Sequence, residues 1–366
     1  MASSLIIDNF LLQDIGACLS NGLTKESASE LVINKSNDNH SAIDVPYAGV
    51  QIEALLELLV NIVLRDSLIF DEDFTYTWAE HEDRFSGILK PGLARPLSFR
   101  IHEDKLKAPR QFVVDQLCIT SSLREAQKRN VESWAAYKQA DDPYLSNVIW
   151  GTAGMLSRSH VFEALYSAHP LRKRVMEQTI LTTPGQDIVA DVLEWMSAER
   201  LRIFQVKNQS AIKETAMIVL PPIVIDIIEE SRDVKDLIPV AYQLRDKYAA
   251  MREWLKSIQT AVESEDPKKI TKYKKTLDAV SKDIDQAVGS TNTGQISLNI
   301  GFGFPSLSIS MGTVDGVMKN FGMRATLNNQ IFTTRGEKSI KKLLRMFDEE
   351  SSSLGFTVQE YLRVKR

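Results

Sequence analysis

The chain reads as a mainly α protein: a helical domain, a long antiparallel helical hairpin, and a small C-terminal α+β part with a two- or three-stranded sheet. Three observations predict this. Leu237, Ala241, Leu244, Tyr248, Met251, Leu255, Ile258 and Val262 recur at alternating steps of four and three, without a miss. After a short polar link containing Pro267, Ile270, Tyr273, Leu277, Val280, Ile284 and Ala287 repeat the beat, as in two helices folded back on each other. At Gly289 the period drops to two: Ile296, Leu298, Ile300, Phe302 and Phe304 alternate with Ser297, Asn299, Gly301 and Gly303. The expected domains are therefore residues 1–232, 233–288 and 289–366.

Taken in order, residues 1–32 carry an apolar run from Leu5 to Ile15 that fits a short helix or strand ending near Asn21-Gly22. Residues 34–44, rich in Asn, Ser and Asp, read as a polar loop. Pro46 opens a helix to about Arg65 whose apolar arc is wide enough to bury most of its circumference. Ser67–Phe70 is a candidate strand, and a helix is expected over about 75–85. Helical patterns return at 109–140 and 143–168; the second contains Gly151, Ala153 and Gly154, small residues that admit a close neighbour. Further helices are expected at about 186–208 and 210–220, with another beginning at Pro221-Pro222, because proline is tolerated in a first turn. In the hairpin, Pro239 places the helix start near Asp236, and Leu237–Val262 would run about 39 Å. A strand, a turn or bulge at Pro305-Ser306, and a second strand follow. Ala325–Thr333 is a possible third strand, and Ser339–Phe347 is a helix.

Composition narrows the function classes. The 366 residues have a hydrophobic share of 43% and a charged share of 25%, ordinary for a globular chain. Net charge is -4, yet from Ser231 onward Lys and Arg outnumber Asp and Glu by 22 to 16, leaving an acidic N-terminal part. Two cysteines, Cys18 and Cys118, with no pairing signature fit a reduced, cytoplasmic setting. The N-terminus lacks the basic start and long apolar core of a signal peptide. The longest apolar runs fall short of the roughly 20 residues that span a bilayer, so no transmembrane segment is expected.

The chemistry-bearing motifs are sparse. The five histidines show no i,i+4 pair, and there is no Cys-x-x-Cys, so no metal ligand set is assigned. Gly301-Phe-Gly303 lies inside an alternating strand rather than ahead of a helix, unlike a phosphate cradle. No nucleophile elbow or phosphate-binding loop is present, and no cofactor is implied.

Glu53, Glu57, Asn61 and Arg65 follow one another at i,i+4. They form either a carboxylate pair able to act as acid and base or, more simply, the narrow solvated edge of a buried helix. Asp71-Glu72-Asp73 is an acidic cluster of the kind that holds divalent ions in metal-dependent nucleases, although Gln205-Val206-Lys207, which could supply the lysine such sites usually carry on a strand, lies at the end of a helical pattern. Lys268, Lys269, Lys272, Lys274 and Lys275, and a second group of Lys338, Lys341, Lys342 and Arg345, are basic patches in which only Tyr273 is interleaved, and its heptad position points it inward. Solvated faces explain them better than nucleic acid does.

The expected function is that of a soluble intracellular interaction or regulatory protein, non-enzymatic, using the heptad-patterned hairpin to bind a protein partner or a second copy. Tyr248, Trp254, Leu255, Lys268 and Lys272 are the binding candidates. One alternative is a membrane-active effector that releases the amphipathic strand pair Ile296–Met311, giving peripheral membrane contact. A second is a metal-dependent hydrolase or nuclease with Glu53, Glu57, Asp71 and Asp73 as catalytic candidates.

Overall fold

Strand β1, Ser4–Ile7, opens the fold and sits inside a four-stranded parallel sheet rather than beside it. The computed structural model describes residues 4–24, 27–33, 40–74, 92–117, parts of 151–172, 223–253, 256–257 and 334–347. After β1 come α1, Asn9–Asn21, and an antiparallel hairpin of β2, Ser27–Ile33, and β3, His40–Pro46. Helix α2, Tyr47–Leu64, leads into β4, Ser67–Asp71, and then β5, Ala94–Leu97. A 3-10 turn at Arg100–His102 starts α3, Glu103–Leu117. Strand β6, Leu165–Ser167, is followed by α4, Ile223–Glu230, α5, Leu237–Lys247, and α6, Thr334–Phe347. Helix is the commonest element among the described residues, as the sequence predicts.

The parallel sheet, in the order β5-β4-β1-β6, includes the strand expected at Ser67–Phe70 and takes the strand option at the start of the Leu5–Ile15 run. Its strands are three to five residues long, too short to show a period. Both faces are covered, so β1 and β4 read as continuous apolar runs instead of alternating ones. Leu5, Ile7, Leu68 and Phe70 enter one core, while Ile6 and Ile69 enter a second with Phe99, Leu106, Met155 and Tyr166. Two expectations are corrected. Leu165–Ser167 is a strand within the span read as a helix over 143–168, and β3 occupies 40–44 of the expected polar loop. In each case long-range strand pairing overrode local pattern.

Helix α2 explains the larger core. Every residue from Ala48 to Leu64 is buried. The helix meets the length and hydropathy of a membrane span, but 94% of that window is enclosed by the protein itself, which makes it a core helix. Around it gather α1, α4 and α5, with α6 packed on α4. One continuous apolar cluster therefore runs from Leu5 through Leu244 to Leu344, drawing on residues either side of 232 and of 288.

Within the stretch read as the first limb of the hairpin, α5 starts at Leu237, as Pro239 suggested, and breaks at Tyr248 before the chain resumes helical form over 249–253. Its seam residues Leu237, Ala241, Leu244 and Tyr248 are buried against α2 and α4. The second limb and the alternating segment 296–311 lie outside the described residues.

Candidate functional site

The chain leaves β1 toward β4 and β5 on one side and returns to β6 on the other. In open parallel sheets that reversal leaves a crevice at the carboxyl ends of the strands, the usual place for a ligand. Asp8 stands at this point. It follows β1 in extended conformation and caps α1, its Oδ1 accepting from the Phe10 N–H at 3.0 Å. Its own N–H donates to the Ser167 carbonyl (3.0 Å), and its Oδ2 accepts the His169 N–H at 2.8 Å. Asp8 thus ties the ends of β1 and β6 together.

Asp71 closes β4 in register with Asp8, continuing the Ile6↔Ile69 pairing two places on. Its Oδ2 accepts from Asn9 Nδ2 at 3.0 Å and pairs with Arg158 at 3.3 Å, while its Oδ1 accepts the Asp73 N–H at 3.2 Å. Asp73 in turn accepts from Ser98 Oγ at 2.9 Å and from the Arg100 N–H at 3.1 Å, fixing the loop that follows β5. The acidic cluster legible in the sequence is therefore a set of anchors for neighbouring strand ends.

Two guanidinium groups neutralise the buried carboxylates. Arg172 donates to Asp8 Oδ1 at 2.5 Å and lies 5.3 Å from the Phe10 ring centroid; Arg158 stacks 4.3 Å over Phe99. Gly151 gives Arg172 room, since an added Cβ would stand 2.3 Å from its Cζ. The small residue was expected to admit a neighbouring helix, and it admits this side chain. Arg158 Nε, Arg172 Nε and Asn9 Oδ1 are buried without a hydrogen-bond partner among the described residues. Beside them the Tyr166 phenol is raised well above its ordinary range, by burial first and by Asp8 next, with Arg172 and Arg158 opposing.

A second buried network backs the first. Asp14 Oδ2 meets His169 Nε2 at 2.9 Å and also accepts the Tyr47 hydroxyl. The Leu171 N–H donates to His169 Nδ1 at 3.3 Å, which leaves Nε2 facing Asp14. Phe10 packs on the imidazole at 4.2 Å between centroids. These contacts hold the segment carrying Arg172 against α1.

The other predicted residues are dispersed. Glu53, Glu57 and Asn61 are buried rather than a solvated edge, because α2 is enclosed on all sides. Glu57 Oε1 accepts from Ser167 Oγ at 2.7 Å, and Asn61 Oδ1 accepts from Arg65 Nε at 3.2 Å. Desolvation lowers the Arg65 guanidinium to about 10, opposed by Glu57 and Asp66. Glu57 thus touches the end of β6. Tyr248 is buried, its hydroxyl donating to Asp226 at 2.7 Å. Lys342, from the second basic group, donates to the Glu229 and Ser231 carbonyls and caps α4. Trp254, Leu255, Lys268 and Lys272 have no described side-chain environment.

Sequence reasoning missed Asp8, Asn9, Asp14, Arg158, His169 and Arg172. The only local signal was an acidic residue closing an apolar run, as in Leu-Ile-Ile-Asp. Among the described residues no group of three His, Cys, Asp or Glu side chains is placed to hold a metal ion. The arrangement offers buried guanidinium donors, one amide acceptor and aromatic faces. Comparison of the chain with protein-family models, with curated proteins and with solved structures gave no match.

Proposed function

We propose that the chain binds a small polar molecule at the carboxyl edge of its parallel sheet, where Asp8, Asn9, Asp71, Arg158, His169 and Arg172 converge. One observation carries this reading: three strand ends, from sequence positions as far apart as Asp8 and Arg172, bring polar side chains with unmet hydrogen-bonding capacity to the point of strand reversal. A fold gains no stability from leaving such groups buried and unpaired, at a cost of about 1–3 kcal/mol each. A ligand that pairs them recovers that cost. The test is a fragment screen by nuclear magnetic resonance on the full-length protein. Shifts concentrated on Asn9, Phe10, Ser98 and His169 are expected, and fragments that perturb only other surfaces sink the reading.

Partner binding through the heptad stripe is a second proposal, restricted by the packing of α5. With Leu237 to Tyr248 turned into the core, a partner has only the stripe beyond Tyr248 to engage. The Leu255→Glu substitution tests it: a change in molecular mass by light scattering is the expected result, and an unchanged monomer counts against self-association. The hydrolase alternative draws less support, because Asp71 is paired to Arg158 and Asp73 is engaged by Ser98 and the Arg100 N–H.

A further inference from the structure

Resting on that reading of the crevice, we infer that its ligand carries an oxyanion, a phosphate or a carboxylate, next to a hydrogen-bond donor such as a hydroxyl. The argument counts what the site leaves unmet. Asp8 already accepts from Phe10, His169 and Arg172, and Asp71 from Asn9, Asp73 and Arg158, three of the roughly four bonds that a carboxylate accepts, so both are largely met. Among the described residues, the buried atoms of this group left without a partner are two guanidinium Nε–H donors, on Arg158 and Arg172, and one acceptor, Asn9 Oδ1. The Asn9 orientation is fixed chemically, since its amino group must face the Asp71 carboxylate and its carbonyl must therefore turn away. Two charged donors against one neutral acceptor select a ligand rich in acceptor oxygens with a single donor alongside.

The guanidinium planes are already ordered for the task. Arg158 is held over Phe99 and Arg172 near Phe10, each with one terminal nitrogen on a carboxylate. Prior ordering lowers the entropy lost when an anion is captured, and arginine is the side chain whose fork fits planar oxyanions. Asp73 and Asp14 lie close by and oppose a bare anion. Recognition therefore depends on direct contact with the two guanidinium groups rather than on the general field.

The experiment titrates the full-length protein with inorganic phosphate and, separately, malonate, at constant ionic strength with chloride as control. Binding is followed by calorimetry and by thermal unfolding. Saturable binding of either anion that weakens about tenfold or more in Arg158→Gln, and less in Arg158→Lys, is the expected result. Phosphate binding more tightly assigns a phosphate-bearing ligand, and malonate binding more tightly a carboxylate. Equal anion affinity in wild type and Arg158→Gln overturns the inference. It also falls if neither anion binds while neutral fragments shift Asn9 and Phe10, and the small-molecule reading then stands. If neither anions nor fragments reach those residues, both fall together.

Discussion

Arg172 reaches back 164 positions to donate to Asp8, and the two side chains form a pair 2.5 Å apart, with Asp8 wholly enclosed. This contact joins the segment after β6, helical from residue 170, to the N-terminus of α1 at the point where the sheet reverses. Removing the cation leaves a buried carboxylate uncompensated. Arg172→Met should cost about 3–5 kcal/mol in chemical denaturation. The double variant Arg172→Met with Asp8→Asn should cost less than the sum of the two single changes, and strict additivity would show that the pair does not couple.

Gly151 tests the same contact from the opposite side. Gly151→Ala places a methyl group against the Arg172 guanidinium and forces it to move. A loss of about 1–3 kcal/mol is expected. In the Gly151→Ala background, Arg172→Met should cost less than it does alone, because the displaced guanidinium already holds Asp8 less well.

Cys18 is buried, and burial followed by Asp14 raises its thiol far above the ordinary value of 9.0. In a Cys118→Ser background a thiol reagent should therefore modify Cys18 only at the rate of unfolding. The pH effect has a definite sign. The native thiol keeps its proton while the unfolded one loses it above pH 9.0, so stability falls as pH rises past that value. The slope should be about 1.4 kcal/mol per pH unit steeper than in Cys18→Ala. Equal slopes would show that Cys18 is not protected.

Arg245 on α5 donates to the carbonyls of Ile62, Arg65 and Asp66, and Arg252 to that of Val63, closing the C-terminus of α2. Those of Ile62 and Val63 are carbonyls that a helix end leaves unpaired, and those of Arg65 and Asp66 lie just past Leu64. Arg245→Ala should cost about 1–3 kcal/mol. Arg245→Lys should recover only part of it, since one ammonium cannot span three acceptors as the guanidinium fork does. Full recovery by lysine would mean that charge alone matters.

Leu244 separates the two uses of the heptad seam. It is buried in the core shared with α2. Leu244→Glu should destabilise the whole fold by more than about 3 kcal/mol, because it buries an unpaired carboxylate. A stable, folded variant that merely changed its assembly state would contradict this packing.

By itself, the sequence determined the elements whose information is local. The wide apolar arc from Val50 to Val63 specifies α2 because a 3.6 period persists over five turns. Pro221-Pro222 and Pro239 place the starts of α4 and α5 through the fixed φ of proline. Ser67–Phe70 was legible as a strand, and Asp71 and Asp73 as residues of interest. The tertiary structure alone decided the rest. A strand as short as Leu165–Ser167 has no period of its own and exists because β1 pairs with it across more than 150 residues. The same pairing gathers Asp8, Asp71, His169 and Arg172 at one edge, where no spacing in the chain links them. It also settled which side of the heptad stripe faces inward: α2 is the larger apolar surface, so Leu237 to Tyr248 pack on it and on α4. Periodicity identifies an apolar face, but only the folded chain supplies the surface that covers it.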